Sequence, residues 1–248
     1  MPPLTRRSAS CFSNDRCEAT NVRFVITNDD GFGEPGIEAL RSAVEPLGKV
    51  IIVAPAEPHS FAGHRVTMKH AIRVDEVKPQ EYTVHGAPAD CTRLALKQLA
   101  PDTDWVIAGI NPGANLGTDI HQSGTVAAAR EAAILGVKSI AISQYIARGQ
   151  TINWEYTRHH AAKIIADLIQ RALMPGQYWN VNLPHPFDGV SPLEPLLCPL
   201  DKNPHDYTYR KADNTYRYQG IIHDRPRDPG GDVDICFSGK ISVTRLEI

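Results

Sequence analysis

The chain has no apolar run that approaches the length of a membrane-spanning helix, which argues against an integral membrane protein built on helices. It has little net charge: 26 Lys and Arg against 28 Asp and Glu leave −2. No electrostatic case for a nucleic-acid polymer or a membrane surface as partner follows. The five cysteines, Cys11, Cys17, Cys91, Cys198 and Cys236, are odd in number and scattered. None pairs with another Cys or a His at zinc spacing. Reduced thiols in a cytoplasmic protein are therefore expected. The first 21 residues hold Pro2, Pro3, Arg6, Arg7 and Arg16 but no apolar stretch of the secretory kind. They are expected to form a disordered or loosely attached tail. No internal repeat is present.

The remaining composition is that of an ordinary globular protein, and 248 residues suffice for a sizeable core. Phe24-Val25-Ile26-Thr27-Asn28 reads as a short buried strand, followed by Asp29-Asp30-Gly31 where it must turn. The apolar positions Ile37, Leu40, Val44 and Leu47 predict a helix over 37–47, and 49–54 a second buried strand. Together they make a βαβ unit with a right-handed crossover. A long loop, 55–68, leads to a strand pair at 71–77 and 81–85. A helix over 91–99 is expected with Asp90 as its N-cap, then a strand at 104–109 and a polar, glycine-rich loop at 110–119. A helix at 126–135, a strand at 139–143, a long helix at 157–173 and a strand at 178–183 complete the alternation. From Pro184 on, prolines, aspartates and tyrosines are dense. Strands are expected there at 216–222 and 239–246, and no helix. The predicted fold class is α/β: a Rossmann-like, mostly parallel sheet flanked by helices, with a β-rich C-terminal extension. The predicted division is 1–21 tail, 22–183 catalytic core, and 184–248 extension packed on the core.

Three strand-end loops hold the chemistry: Asp29 and Asp30 on the first, His59 and Ser60 on the second, Asn111 to Thr125 on the third. In an open α/β sheet such loops converge on one edge. Adjacent carboxylates at a strand end suit a hard cation. Asn-Asp-Asp-Gly is also good turn chemistry, and this stretch by itself leaves both readings open. Ser123-Gly124-Thr125 opens a helix, whose unpaired first-turn amides attract an anion. A plain serine N-cap explains the same residues. Carboxylates for a cation beside donors for a phosphate are the equipment of metal-assisted phosphoryl hydrolysis.

At this point the sequence resembles a family. Val25-Ile26-Thr27-Asn28-Asp29-Asp30-Gly31, Glu34-Pro35-Gly36-Ile37 and Val53-Ala54-Pro55 are similar to the opening of the SurE survival-protein family, the SurE 5′/3′-nucleotidases. So are Gly86-Ala87-Pro88-Ala89-Asp90-Cys91, Gly109 to Asp119, Ser123 to Ala128, Val181 to Pro184, Gly231 to Asp234 and Ile241 to Thr244. The resemblance implies a divalent-cation-dependent phosphatase for nucleoside 5′- and 3′-monophosphates, with short polyphosphate as a further substrate. It implies Asp29, Asp30, Ser60 and Asn111 as ligands of one divalent cation per subunit, Mg²⁺ or Mn²⁺. It implies Asn115, Ser123, Gly124 and Thr125 as the phosphate site. The expected catalytic set is Asp29, Asp30, Asn115 and Ser123. A homodimer or homotetramer is expected.

The sequence departs from the family at Phe61, where a glycine is usual, at Arg65, where a small residue is usual, and at Gln122, where an aromatic is usual. These departures keep a second reading open: a member that binds nucleotide or metal without efficient turnover. Among flanking residues, His59, His64 and His121 are each explained more simply as loop histidines that shape the pocket; if one protonates the leaving oxygen, His64 is the first choice. Arg65 is a candidate contact for substrate phosphate or base, and an exposed salt-bridging role explains it equally well. Two other classes fit less well. A receiver domain needs an aspartate where Asn111 stands. A dinucleotide-dependent oxidoreductase needs a glycine-rich turn after the first strand, which is absent.

Overall fold

The computed structural model describes residues 22–185, 194–205 and 207–248. The expected tail, 1–21, lies outside them. The chain runs β1 (Arg23–Thr27), α1 (Pro35–Val44), β2 (Lys49–Pro55), β3 (Val74–Lys78), β4 (Glu81–Val84), α2 (Pro88–Leu94) and β5 (Trp105–Pro112). It continues with α3 (Gly124–Ile134), β6 (Lys138–Gln144), α4 (Trp154–Leu168) and β7 (Gln177–Leu183). The extension adds β8 (Pro195–Leu197), β9 (Tyr209–Ala212), β10 (Thr215–Tyr218), α5 (Asp232–Phe237) and β11 (Ile241–Glu247).

Nine strands form one sheet in the order β3-β4-β2-β1-β5-β6-β7-β11-β8, and β9 and β10 form a separate hairpin. The central strands β4, β2, β1, β5, β6 and β7 are parallel to one another. β3 and β11 run antiparallel to β4 and β7 at either side. Strand side chains alternate between faces. Phe24 and Ile26 of β1 accordingly pack with Ile37, Leu40, Ile165 and Leu168 of α1 and α4. Val25 packs with Val53, Cys91 and Ala132 on the opposite face. Burial on both faces is why these strands read as unbroken apolar runs.

The chain leaves β1 first for β2 on one side and later returns to β5 on the other. That reversal opens a crevice beyond the carboxyl ends of β1 and β5, where such sheets bind ligands. At Gly109 in β5, φ is +139° and an added Cβ would fall 2.2 Å from the Ile142 carbonyl oxygen. The pairing of β5 with β6 shifts register between Ala108 and Asn111 there, and Asn111 is delivered at the crevice.

Several element boundaries differ from expectation. Helix α2 begins at Pro88, not Cys91, because proline suits the first helical position. Asp90 therefore lies inside the first turn and is not the N-cap; its carboxylate reaches back to the Ala87 amide at 3.0 Å. Helix α4 begins earlier, capped by Asn153, which accepts from the Tyr156 amide at 3.1 Å. In the extension, the expected strand at 216–222 is the second arm of a hairpin that ends at Tyr218. Helix α5 was not expected at all. At six residues it is too short to display a periodicity.

Candidate active site

The β1 turn is closed by its own asparagine. Asn28 donates from Nδ2 to the Gly31 carbonyl at 2.8 Å and accepts from the Gly31 amide at 3.2 Å. This Asx-type turn presents Asp29 and Asp30 at the mouth of the sheet. Asp29 is buried, and the Thr125 hydroxyl hydrogen-bonds its carboxylate. Burial pushes its pKa up, opposed by that hydroxyl and by the Thr125 backbone. Asp30 is pushed up to about 7, first by burial, then by the neighbouring charges of Asp29 and Glu34. Its Oδ2 is buried with no hydrogen-bond partner among the described residues. Two crowded carboxylates, one with an unsatisfied oxygen, form a pair that a positive charge would relieve.

Both aspartates line a cavity of about 700 Å³ together with Ser60, Asn111, Asn115 and Ser123. The four expected cation ligands thus share one cavity. Asn111 donates from Nδ2 to the Gly113 carbonyl at 2.7 Å, while its Oδ1 lies 3.3 Å from the Thr125 hydroxyl, whose one hydrogen goes to Asp29. Among the described residues no cluster of three or more His, Cys, Asp or Glu forms, so a cation here would rest on two carboxylates and neutral oxygens. An all-oxygen set is what hard cations take.

The residues expected to meet a phosphate are more constrained than their sequence suggests. Ser123 caps α3, accepting from the Val126 amide at 3.0 Å, and its own amide donates to the Asp119 carbonyl at 3.1 Å. The Thr125 hydroxyl is given to Asp29, and Thr125 does not line the cavity. A Cβ on Gly124 would fall 2.8 Å from the Asp29 Cβ, so this glycine admits the carboxylate to the helix start. Much of the first turn of α3 therefore serves Asp29. The Ser123 hydroxyl hydrogen and the Asn115 side chain remain to face an anion.

Asn115 is held from the adjoining strands. Its amide donates to Asn182 Oδ1 at 2.8 Å, and its carbonyl accepts from Asn180 at 2.9 Å and Asn182 at 3.0 Å. Its side chain donates to the Ser143 hydroxyl at 2.8 Å. Asn180 and Asn182 were missed as functional support. The signal was two polar residues at i and i+2 in the apolar strand 177–183, facing one side of a buried sheet.

His64 and Arg65 are not brought to the cavity. His64 Nε2 meets Glu131 at 2.7 Å, its Nδ1 faces Arg130 at 3.4 Å, and Arg65 is exposed elsewhere. His59 and His121 do not line the cavity either. Instead the extension supplies its far wall: His205, Tyr207, Tyr209, Tyr218 and Ile222. The density of tyrosines in this region was visible in the sequence, but no pattern placed them opposite Asp29. Phe61, 87% exposed with φ +57°, stands at the rim.

The profile of survival protein SurE matches residues 24–202. The chain belongs to the SurE family. A Synechocystis relative, provisionally named a 5′-nucleotidase, is 46% identical over 227 residues, covering 92% of this chain and 100% of the relative. The 5′-nucleotidase SurE of Myxococcus xanthus is 36% identical over 236 residues, covering 90% of this chain and 87% of that one. The crystal structure of SurE from Aquifex aeolicus superposes with a TM-score of 0.79 at 32% identity, covering 91% and 93% of the two chains. SurE membership bears out the predicted mostly parallel sheet flanked by helices. No helix among the described residues is long and apolar enough to cross a membrane.

Proposed function

We propose that the chain is a divalent-cation-dependent phosphatase that hydrolyses nucleoside 5′- and 3′-monophosphates, and short polyphosphate in addition. One observation carries the reading: Asp30 Oδ2 is buried beside Asp29 with no hydrogen-bond partner among the described residues, in the cavity that also holds Asn115 and Ser123. Relatives named 5′-nucleotidase support the substrate class. Asp29, Asp30, Ser60 and Asn111 would hold Mg²⁺ or Mn²⁺. Once bound, such a cation neutralises charge on the phosphoryl oxygens and lowers the pKa of water.

The protein's own groups do the rest. The Ser123 hydroxyl and the Asn115 side chain orient the phosphate. Tyr207, Tyr209 and Tyr218 offer aromatic faces to a nucleobase. The cavity lies within the roughly 300–1,000 Å³ of small-molecule sites. That size favours a mononucleotide over a polymer.

The test is a matrix of metals against substrates: 5′-AMP, 3′-AMP and tripolyphosphate with Mg²⁺ or Mn²⁺, before and after EDTA. Phosphate release that needs the cation and disappears in Asp29→Asn is the expected result. Release that persists in EDTA, or no release from any substrate, would falsify the reading.

A further inference from the structure

A phosphomonoester of a sugar hydroxyl has a poor leaving group. Its departing oxygen must gain a proton as the P–O bond breaks, and a donor must stand at the cavity wall. The histidines near the metal-ligand loops do not reach the cavity. His205 does. It comes from the extension, beyond the main alternation of strands and helices, and is mostly enclosed, its side chain 12% exposed.

We propose that His205 is the general acid of this site, with Asp119 as its positioning residue. The inference rests on the phosphatase reading above. His205 Nε2 hydrogen-bonds Asp119 Oδ1. That carboxylate is itself fixed from behind, because Arg225 Nη1 donates to its Oδ2 at 2.7 Å from a side chain with no exposure. Arg225 also donates to the Leu116 carbonyl at 3.2 Å, tying the guanidinium to the turn that carries Asp119. The arrangement fixes one imidazole nitrogen on a carboxylate and so sets the orientation of the ring, as an orienting aspartate does in hydrolytic triads. Nδ1 makes no hydrogen bond to any other described residue and is left for the substrate. The ring is also faced by Tyr207, at 5.8 Å between ring centres.

The position relative to the phosphate site follows from the backbone. Asp119 lies in the 3₁₀ turn Gly117–His121, and its carbonyl accepts from the amide of Ser123 at 3.1 Å. The residue that grips His205 is thus hydrogen-bonded to the residue that meets the phosphate. Asp119, Ser123, Asn115 and His205 all line the one cavity.

The step balances as follows. A water oxygen forms its bond to phosphorus as the ester P–O bond breaks. The electron pair of the broken bond stays on the nucleoside oxygen, which takes the Nδ1 proton. The water's surplus proton leaves to solvent, from which His205 regains its own.

The experiment compares leaving groups. p-Nitrophenyl phosphate releases a phenolate that is stable without a proton, whereas AMP does not. His205→Gln is expected to lose kcat/KM on AMP by about 10²-fold more than on p-nitrophenyl phosphate, in line with the weight of general acid catalysis. Asp119→Asn is expected to show the same split in smaller degree. Inhibition by inorganic phosphate, retained in both variants, verifies that the phosphate site is intact. Equal losses on the two esters in both variants overturn the assignment of His205 while leaving the phosphatase reading standing. A wild-type protein inert toward both esters with every cation overturns that reading and this inference together.

Discussion

Asp30 is a carboxyl group placed where its charge is opposed by burial, by Asp29 and by Glu34. Its pKa rises from the ordinary 3.8 to about 7. The folded protein therefore binds this proton more tightly than the unfolded chain does. The stability gained is fully present below 3.8 and is lost as pH rises through about 7. In EDTA, the wild-type unfolding midpoint should fall as pH climbs across that window, and Asp30→Asn should flatten this part of the curve. Each kcal/mol moves the midpoint of a domain this size by roughly 2–4 °C, so even a solvent-screened effect is measurable by thermal unfolding. Saturating Mg²⁺ should also abolish the slope, because a ligated carboxylate stays ionised. A wild-type curve as flat as the variant's would refute this account of Asp30. The pair Asp29-Asp30 was legible in the sequence because strand end, turn and charge coincide within a few residues. The role of Thr125 was not, because its hydroxyl reaches a carboxylate 96 positions away. Local signals made it part of an anion site; the fold gives its hydroxyl to Asp29.

At the scale of elements, the long connection between β2 and β3 carries Ser60 and is tied down along its length. The His59 amide donates to the Asp29 carbonyl at 2.7 Å, and the Gly63 amide to the Gln122 carbonyl at 3.0 Å. His64 pairs with Glu131, and the Thr67 amide donates to Asp90 at 2.8 Å. Two of these ties end on α3 or the turn before it, so the loop is fastened to the helix. Glu131 is the anchor: its side chain is 1% exposed and it also accepts from Arg93. Burial alone would raise its pKa, but His64 and Arg93 outweigh that and hold it below the ordinary value. Glu131→Ala would strand both partners. The cost expected in urea unfolding is toward the lower end of ~3–5 kcal/mol, since Arg93 keeps partial access to solvent. Cation affinity, read by calorimetry, should weaken with it, because Ser60 rides on the loosened loop. Unchanged affinity in a folded variant would separate the loop's anchor from the site. The boundaries of α3 were readable from Ser123 and Gly136. The tether was not, since Glu131 looks like any helical glutamate until the loop folds over it.

For the whole molecule, the extension joins the central sheet through β8 and β11. Strand β11 lies between β7 and β8 and pairs with β7 over six residues, Ser242 with Asn182 through Glu247 with Gln177. Asp232 at the start of α5 is fully buried and accepts from the Gly117 amide at 2.8 Å and the Asp201 amide at 2.8 Å. It thereby locks the extension to the turn that carries Asp119. Sequence alone indicated a β-rich end to the chain and a strand near 239–246. It could not indicate that this strand enters the central sheet, because a strand's partner is set by contacts far along the chain. The consequence is cooperative: the extension should not melt before the core. Trp105 and Trp179 report the core strands by fluorescence, while the buried thiol of Cys236 reports α5 by its reactivity. Denaturant titration should give one transition, with Cys236 becoming reactive at the same midpoint as the tryptophan signal. Residue-resolved labelling of Cys236 well below that midpoint would mean that the extension opens as a separate unit. His205 and the tyrosines would then leave the cavity while Asp29 and Asp30 stayed in place.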